Sequence, residues 1–250
     1  MPTVAELSTP YGNFMLGPRH GPGVCRVCLN PTDGWGCCYA CAHGGRWLDA
    51  MVPISYSVAG EQLHHALACY KRAPQPVARE FALGLAAVLW RWLRTHERCV
   101  ARTVGETSFQ LVTTVPSGDR LRAGAHPLQA MVAELVEPVR DRFEPLLTRS
   151  SKAVELRCFS RERYVARREL DGRAVLLIDD TWTTGANAQS AAATLKAAGA
   201  GPVAAVVIGR HVNRGWRDND ERLRALPTPF DWERCALCAR ERPAQTARAG

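Results

Sequence analysis

The pattern of apolar and polar positions predicts strands that alternate with helices. Val175–Ile178 is an uninterrupted apolar run, which is typical of a parallel strand with helices over both faces. The segment Ala186–Ala198 is rich in Ala and is followed by Gly199 and Pro202, so it predicts a helix with a defined end. Val203–Ile208 is a further apolar run, and it would complete a right-handed β-α-β unit.

Other segments predict the rest of an α/β domain. Leu111–Val115 predicts the first strand of the sheet, and Glu155–Tyr164 predicts a second strand that leads into an Arg-rich loop. Apolar residues at helical spacing in Phe81–Trp92 predict a core helix. Pro127–Pro138 predicts a helix that starts at the first Pro and bends or ends at the second. We expect a last short strand near Pro229–Trp232.

Two acids follow the run that ends at Ile178, and a turn with three hydroxyl side chains follows the acids. The acids are Asp179 and Asp180; the turn consists of Thr181, Trp182, Thr183, Thr184 and Gly185. This is the junction of a strand's carboxyl end and a helix's amino end, where open α/β sheets bind ligands. The pattern therefore predicts a ligand site here.

The residue types indicate which ligand this site binds. Unpaired N–H groups at a helix start attract phosphate, and the Thr hydroxyls add donors. Carboxylates cannot bind phosphate, but they accept hydrogen bonds from a vicinal diol or hold a bridging Mg²⁺. A phosphate site beside a diol site predicts a ribose 5-phosphate. A Walker phosphate loop is excluded, because no Gly-Lys-Ser/Thr follows.

The cysteines predict a metal site rather than disulfides. The chain has ten cysteines, and we expect it to lack a secretory signal, which argues against an oxidising compartment. Two Cys-x2-Cys pairs, Cys25/Cys28 and Cys38/Cys41, have the spacing of a structural zinc site with four thiolate ligands. Each of the isolated cysteines is expected to be a small buried apolar residue. These are Cys69, Cys99 and Cys158.

A third Cys-x2-Cys pair leaves the ligand set open. Cys235 and Cys238 lie near the carboxyl terminus and would either add two ligands to the first site or complete a tetrahedral set with Cys25/Cys28. We favour the pairing with Cys38/Cys41, because closing a short loop costs less entropy than closing a long one.

Composition limits the class of protein. The 250 residues, 46% of them hydrophobic, allow one sizeable α/β domain and a small appendage. The longest apolar stretch, Phe81–Leu93, is short for a membrane span and contains Arg91, so we expect no membrane span and a cytoplasmic location. The net charge of +8 suits anionic substrates such as pyrophosphate, or nucleic acid.

The order of strand, Asp-Asp, two residues, Thr-Thr-Gly and helix resembles the phosphoribosyl pyrophosphate (PRPP) motif of type I phosphoribosyltransferases. Over residues 25–212 the chain is similar to the ComF subfamily, in which a cysteine-rich module precedes the transferase domain. Asn187 stands where the family often has Thr or Ser. The resemblance implies a parallel-sheet type I phosphoribosyltransferase fold with a small amino-terminal cysteine-rich zinc module.

The resemblance also assigns roles to residues. Asp179 and Asp180 would hold the ribose diol and Mg²⁺, and the turn from Thr181 to Gly185 would bind the 5′-phosphate. The loop after the first strand would give pyrophosphate its donors, and an Arg in the loop before the motif strand would neutralise it as it departs. The residues expected in these two roles are Ser117, Gly118, Arg120 and Arg163. Family members carry a Tyr…Lys segment similar to Tyr56…Tyr70-Lys71, in which Lys71 either reaches the phosphates or ends a solvated helix.

The expected organisation is a leader and zinc-binding module over residues 1–50, a helical connector over 51–104, a phosphoribosyltransferase domain over 105–240 and a disordered tail over 241–250. The expected reaction joins PRPP to an unidentified nitrogen nucleophile and releases pyrophosphate. The alternative is a non-catalytic protein that senses PRPP or takes part in uptake of single-stranded DNA during competence. The acceptor and the existence of a homo-oligomer are left open.

Overall fold

A computed structural model describes residues 2–116, 127–225 and 229–238 of the chain. Its strands in chain order are β1 (Ala50–Val58), β2 (Leu111–Thr114), β3 (Leu147–Arg149), β4 (Tyr164–Ala166), β5 (Val175–Trp182) and β6 (Val203–Val212). Its helices are α1 (Val4–Gly12), α2 (Tyr39–His43), α3 (Gln62–Arg72), α4 (Val77–Thr103), α5 (Pro127–Leu135), α6 (Glu137–Arg140), α7 (Ala186–Ala197) and α8 (Asn219–Arg224).

A parallel sheet is the centre of the fold. Among the described residues it has four strands in the order β1-β6-β5-β2. Val175 of β5 is in register with Leu111 of β2 on one side and with Val203 of β6 on the other. The sequence prediction of a mixed α/β protein with a parallel sheet is therefore confirmed.

Both faces of this sheet are covered. Leu176 and Ile178 of β5 pack in a cluster that contains residues of α3, α4 and α5. Val175 and Leu177, which point to the opposite face, pack against α7 and near cysteines of the amino-terminal module. Burial of successive side chains on two faces explains why the strand has an apolar run instead of an alternating pattern.

The unit β5-α7-β6 agrees with the prediction and is longer at both strands. Strand β5 continues from Ile178 through Asp179, Asp180 and Thr181 to Trp182. The two acids therefore lie within the carboxyl-terminal half of β5, where pairing with β6 fixes the backbone. Helix α7 ends at Ala197, one residue before the predicted end, and Ala198 is its capping residue.

Strand β1 was not predicted. Residues 51–58, which were assigned to a helical connector, form most of this strand and pair with β6. Pro53 weakened the strand pattern, because proline cannot donate to a ladder. It is tolerated here since β1 lies at the edge of the sheet. The rest of the segment contains α3 and α4.

Two other predicted strands are wrong. Glu155–Tyr164 contains a turn in which Arg157 has a positive φ of 62°, and the exposed residues before it bury no apolar face. Strand β4 begins only at Tyr164 and pairs antiparallel with β3. Near Pro229–Trp232 the chain forms an isolated bridge from Pro229 to Leu16 and no strand.

The remaining predictions can be stated briefly. The predicted strand Leu111–Val115 is β2, which ends one residue earlier at Thr114, and the Pro127–Pro138 segment forms α5 and the start of α6, with the bend at Val136. The division into domains stays a prediction, and the expected disordered tail over 241–250 lies outside the described residues. Within the described ranges, no helix has the length and apolar character needed to cross a membrane.

Candidate functional site

A cavity of about 310 Å³ lies at the carboxyl end of β5. Its walls come from the end of α3, the end of β2, the acids of β5 and the start of α7. The lining residues are Leu67, Ala68, Lys71, Arg72, Val115, Pro116, Asp179, Asp180, Thr181, Thr183 and Asn187. The cavity thus combines two carboxylates, two cations, two hydroxyls and an amide.

Asp180 is buried beside two donors from α3. The residue is only 4% exposed, and its carboxylate accepts a hydrogen bond from the hydroxyl of Tyr70 and forms an ion pair with the ammonium of Lys71. Tyr70 and Lys71 are near the carboxyl end of α3, where cations are favoured by the helix dipole. The charge of Asp180 is therefore compensated within the protein.

Asp179 is compensated less well. One of its carboxylate oxygens accepts the backbone N–H of Asp180 at 2.9 Å. Burial, and then the negative charge of Asp180, raise the pKa of Asp179 to about 8, although Lys71 acts in the opposite direction. Carboxylates with a raised pKa are common in the cavities of functional sites. A bound cation or hydroxyl donor would stabilise the ionised form of Asp179.

The turn after β5 divides its side chains between two sides. Thr181 and Thr183 face the cavity, as does Asn187 from the first turn of α7. The hydroxyl of Thr184 instead donates to the carbonyl of Arg157 at 3.2 Å, and the same oxygen lies 3.3 Å from the backbone N of Ala186. Thr184 therefore does not line this cavity and instead attaches the turn to the loop that contains Arg157.

Gly185 and Trp182 fix the shape of the turn. Gly185 has a φ of 83°, and a Cβ atom on it would lie 2.1 Å from Cζ2 of Trp182. Trp182 is 2% exposed, and its buried indole packs against the turn at Gly185. The indole does not line the 310 Å³ cavity. Only glycine satisfies both the backbone angle and the close approach.

A larger cavity of about 720 Å³ lies on the other side of this turn. Thr184, Gly185 and Gln189 line it together with residues of the amino-terminal module. The side-chain oxygen of Gln189 accepts the backbone N–H groups of Trp47 and Leu48 at 2.7 and 3.2 Å. These bonds tie α7 to the segment that leads from the module into β1.

The residues expected to bind pyrophosphate are not assembled at the cavity by the described structure. Ser117, Gly118 and Arg120 lie outside the described residues, directly after Pro116, which lines the cavity. Arg163 is 2% exposed, and its guanidinium donates to the carbonyls of Glu155 and Cys158 at 2.8 and 2.5 Å. It holds the 155–163 loop together and is not part of the cavity lining.

Four cysteines of the amino-terminal module form a cluster, which we call the amino-terminal cluster. The sulfur atoms of Cys25, Cys28, Cys38 and Cys41 all lie within 4.8 Å of one another. Each pair forms a tight knuckle, with the N–H of Leu29 bonded to the carbonyl of Cys25 at 2.9 Å and the N–H of Cys41 to that of Cys38 at 3.1 Å. Four sulfur ligands could hold a metal ion and would leave no open position on it.

Arg210 links the amino-terminal module to β5, the strand that carries Asp179 and Asp180. Its guanidinium is buried, donates to the side chain of Asn30 at 2.8 Å and donates to the carbonyl of Trp182 at 3.1 Å. The hydroxyl of Tyr56 in β1 donates to the carbonyl of Leu29 at 2.6 Å. The knuckle around the first two cysteines is therefore docked on the carboxyl end of the sheet.

The other cysteines differ in part from their predicted places. Cys235 and Cys238 do not join the amino-terminal cluster; they lie with His96 and Cys99 in a second group. The prediction that Cys99 is an isolated apolar residue is therefore wrong, since residues distant in sequence surround it. Cys158 is exposed rather than buried, because it belongs to the turn that replaced the predicted strand.

Sequence reasoning understated the contribution of α3 to the site. It left the role of Lys71 undecided and gave none to Tyr70, although both contact Asp180. The available signal was a Tyr-Lys pair at the end of an amphipathic helix, which by itself is common.

In comparisons with known proteins, no protein-family model matches this chain, and no curated protein sequence matches it significantly.

Proposed function

We propose that this protein is a ComF-like member of the type I phosphoribosyltransferases that binds PRPP together with Mg²⁺. The observation that carries the proposal is the pair Asp179 and Asp180 in a cavity that also contains Lys71 and the hydroxyls of Thr181 and Thr183. A ligand that fits this set needs both hydroxyl donors and negative charge. A phosphorylated pentose with a free diol has both.

The ligand orientation follows from the charges. The diol would donate to the carboxylates at the end of β5, where Asp179 forms no ion pair with any described residue. The 5′-phosphate would accept from Thr183, Asn187 and backbone N–H groups in the first turn of α7. Lys71 and Arg72 supply positive charge at the same cavity, which balances the phosphates of the ligand.

The fold supports the same proposal at a coarser level. The acids are at the carboxyl edge of a parallel sheet and precede a helix, which is the usual ligand position in such sheets. Type I phosphoribosyltransferase is the finer class that we propose for this α/β arrangement. A cytoplasmic location is part of the proposal, since thiolate metal sites persist in reducing compartments.

The proposed reaction transfers the phosphoribosyl group to a nitrogen nucleophile. A C–N bond forms at the anomeric carbon, and the C–O bond to pyrophosphate breaks with its electron pair leaving on pyrophosphate. Asp179 and Asp180 would hold the diol and orient the ring, and the turn would immobilise the phosphate end. When bound, Mg²⁺ supplies charge neutralisation at the pyrophosphate, with ligands from substrate and water.

We further propose that the amino-terminal cluster holds a structural Zn²⁺. Four thiolates match the ligand preference of zinc. The ion would fix two knuckles that Arg210 and Tyr56 dock on the sheet. Its role is to order the module, because a four-thiolate shell leaves no position for substrate.

Titration calorimetry with Mg²⁺–PRPP tests the binding site. We expect saturable one-site binding, competition by ribose 5-phosphate and little binding of ribose without phosphate. Absence of PRPP binding by the folded protein would contradict the proposal. Pyrophosphate release with a panel of bases and amines then separates a transferase from a sensor, because a sensor binds PRPP without turnover.

Single-stranded DNA is a second candidate ligand, favoured by exposed aromatic side chains. Trp35 and Tyr39 in the amino-terminal module are 72% and 80% exposed, and Trp216 is 63% exposed. Exposed rings on a basic protein are suited to stack on unpaired bases. Fluorescence titration with oligothymidine at increasing salt tests this candidate; we expect binding that weakens with salt and with Trp35→Ala.

A further inference from the structure

A second cluster of metal-ligating side chains joins the end of the chain to the longest helix. It consists of His96 and Cys99 from α4 and of Cys235 and Cys238 from the carboxyl-terminal segment, and we call it the carboxyl-terminal cluster. One ligand atom from each residue lies within 4.8 Å of the others. The cluster shares no residue with the amino-terminal cluster or with the cavity of the acid pair.

The distances in the cluster fit a tetrahedral metal site. The sulfur atoms of Cys99 and Cys238 are 3.5 Å apart, and those of Cys235 and Cys238 are 3.3 Å apart. The sulfur of Cys238 is 3.5 Å from Nδ1 of His96. In a tetrahedral zinc site with ordinary bond lengths, sulfur ligands are separated by about 3.8 Å, and sulfur and nitrogen by about 3.5 Å.

The imidazole of His96 has the tautomer that a metal ligand needs. Its Nε2 lies 2.8 Å from the backbone carbonyl of Trp232. A carbonyl oxygen can only accept, so Nε2 carries the proton and Nδ1 presents its lone pair to the sulfur atoms. Histidines that bind metals commonly donate their other N–H to a carbonyl or carboxylate in this way.

The backbone delivers these ligands without strain. His96 and Cys99 are three residues apart on α4, so both side chains leave the same face of the helix. Cys235 and Cys238 have the Cys-x2-Cys spacing of a metal knuckle. Phe230, Trp232, Ala236 and Leu237 pack with the core around this segment, and the guanidinium of Arg91 lies 4.2 Å from the Trp232 ring.

Two simpler explanations account for less of the arrangement. A Cys235–Cys238 disulfide would use two of the residues and would account for neither the buried His96, which is 1% exposed, nor Cys99 beside it. Ordinary core packing would explain buried cysteines, but it would not explain why an imidazole lone pair faces three sulfur atoms. A single metal ion accounts for the convergence of all four groups.

We propose that His96, Cys99, Cys235 and Cys238 form a second, structural metal site of the Cys₃His type, with Zn²⁺ as its ion. Binding releases the thiol protons, and the ion takes its place between three thiolates and a neutral imidazole. The site fastens residues 235–238 to α4, across a separation of more than one hundred residues in the sequence. It leaves no open position, so its role is to hold the carboxyl-terminal segment on the core.

The test uses the wild-type full chain, purified under reducing conditions with zinc in the growth medium. We expect two zinc ions per chain by elemental analysis. Mass-spectrometric mapping of alkylated cysteines should show Cys99, Cys235 and Cys238 protected, and a strong chelator should make them reactive. Cys158, which is exposed and belongs to neither cluster, should react equally with and without chelator.

Variants assign the ions to the clusters. Cys238→Ser should reduce the metal content from two ions to one, Cys38→Ser should remove the other ion, and the control Cys158→Ser should keep both. The proposal is overturned if the carboxyl-terminal cysteines react at the same rate with and without chelator in the folded wild-type chain. It is equally overturned if Cys235 and Cys238 are recovered as a disulfide. If Cys38→Ser loses the amino-terminal ion and retains the carboxyl-terminal ion, the result supports the proposal.

Discussion

The ammonium group of Lys71 at the end of α3 forms an ion pair with the carboxylate of Asp180 at the end of β5. The side chain of Lys71 is 26% exposed and that of Asp180 is 5% exposed, so the pair is at the edge of the cavity and not fully inside the protein. The hydroxyl of Tyr70 reaches the same carboxylate. Helix α3 therefore takes part in holding an acid that we propose binds a sugar diol.

Replacing Lys71 with Met should destabilise the protein. The buried carboxylate of Asp180 would lose its ion pair and keep the hydrogen bond from Tyr70. We expect the free energy of unfolding to fall by on the order of 2 kcal/mol, because a buried charge that loses an ionic partner is costly. Urea denaturation measures this change. Lys196→Met is the matched control: its lysine is also 26% exposed, but its partner Asp49 is 41% exposed, so the loss should stay below about 1 kcal/mol. Equal losses in the two variants would contradict the assigned role of Lys71.

Replacing Asp179 with Asn should stabilise the unliganded protein, and the gain should depend on pH. The pKa of Asp179 is raised to about 8 by burial and by the charge of Asp180. A raised folded-state pKa means that the stability contributed by this group is present below its unfolded pKa near 4 and is lost as pH rises through 8. Asn avoids this loss and can still accept the N–H of Asp180.

Thermal melts of Asp179→Asn and wild type at several pH values test this prediction. We expect nearly equal melting temperatures at pH 4, an advantage for the variant that grows with pH, and a plateau above about pH 8. Asp141→Asn, at a carboxylate that is 95% exposed, is the control and should change little at any pH. A constant difference across the range would show that the pKa of Asp179 is not raised.

Replacing Gly185 with Ala should cost more than its backbone angle alone explains. A Cβ would lie 2.1 Å from Trp182, so the turn or the indole must move. Gly105 has a similar φ of 80° and open space around its missing Cβ. We expect a loss of about 1 kcal/mol for Gly105→Ala and a further 1–3 kcal/mol, approximately, for Gly185→Ala because of overpacking.

Denaturant melts of the two glycine variants provide the comparison. Trp182→Leu combined with Gly185→Ala should regain part of the loss, because the smaller side chain makes room for the Cβ. If both glycine variants lost the same stability and the double variant regained nothing, contact between the turn and the indole would not be the reason for glycine at this position.

The sequence was most informative where local pattern and chemistry coincide. An apolar run, two acids, a hydroxyl turn and an Ala-rich segment are contiguous, so the order of strand, acids, turn and helix from Val175 to Ala197 could be predicted, although β5 continues past Ile178 to Trp182. The Cys-x2-Cys pairs at Cys25 and Cys38 were predicted for the same reason, since each knuckle is local.

Features that depend on distant partners were missed. Strand β1 contains Pro53, and only its edge position beside β6 makes that residue acceptable. His96 and Cys99 have no local pattern that distinguishes them on α4, and the residues that give them a role follow more than one hundred positions later. Arg163 lies in an Arg-rich segment of the kind expected for a phosphate-binding loop, but its guanidinium donates to carbonyls of that same segment.

Calorimetric titration of the Asp179→Asn/Asp180→Asn double variant with Mg²⁺–PRPP, beside wild type, tests the central claim most directly. Amide side chains keep the shape of the carboxylates and remove their charge, so circular dichroism should show the same fold. We predict that wild type binds PRPP and that the double variant binds it at least ~100-fold more weakly, since each hydrogen bond to a charged group contributes about 1.5–3 kcal/mol. Equal affinity in a folded double variant would contradict the account.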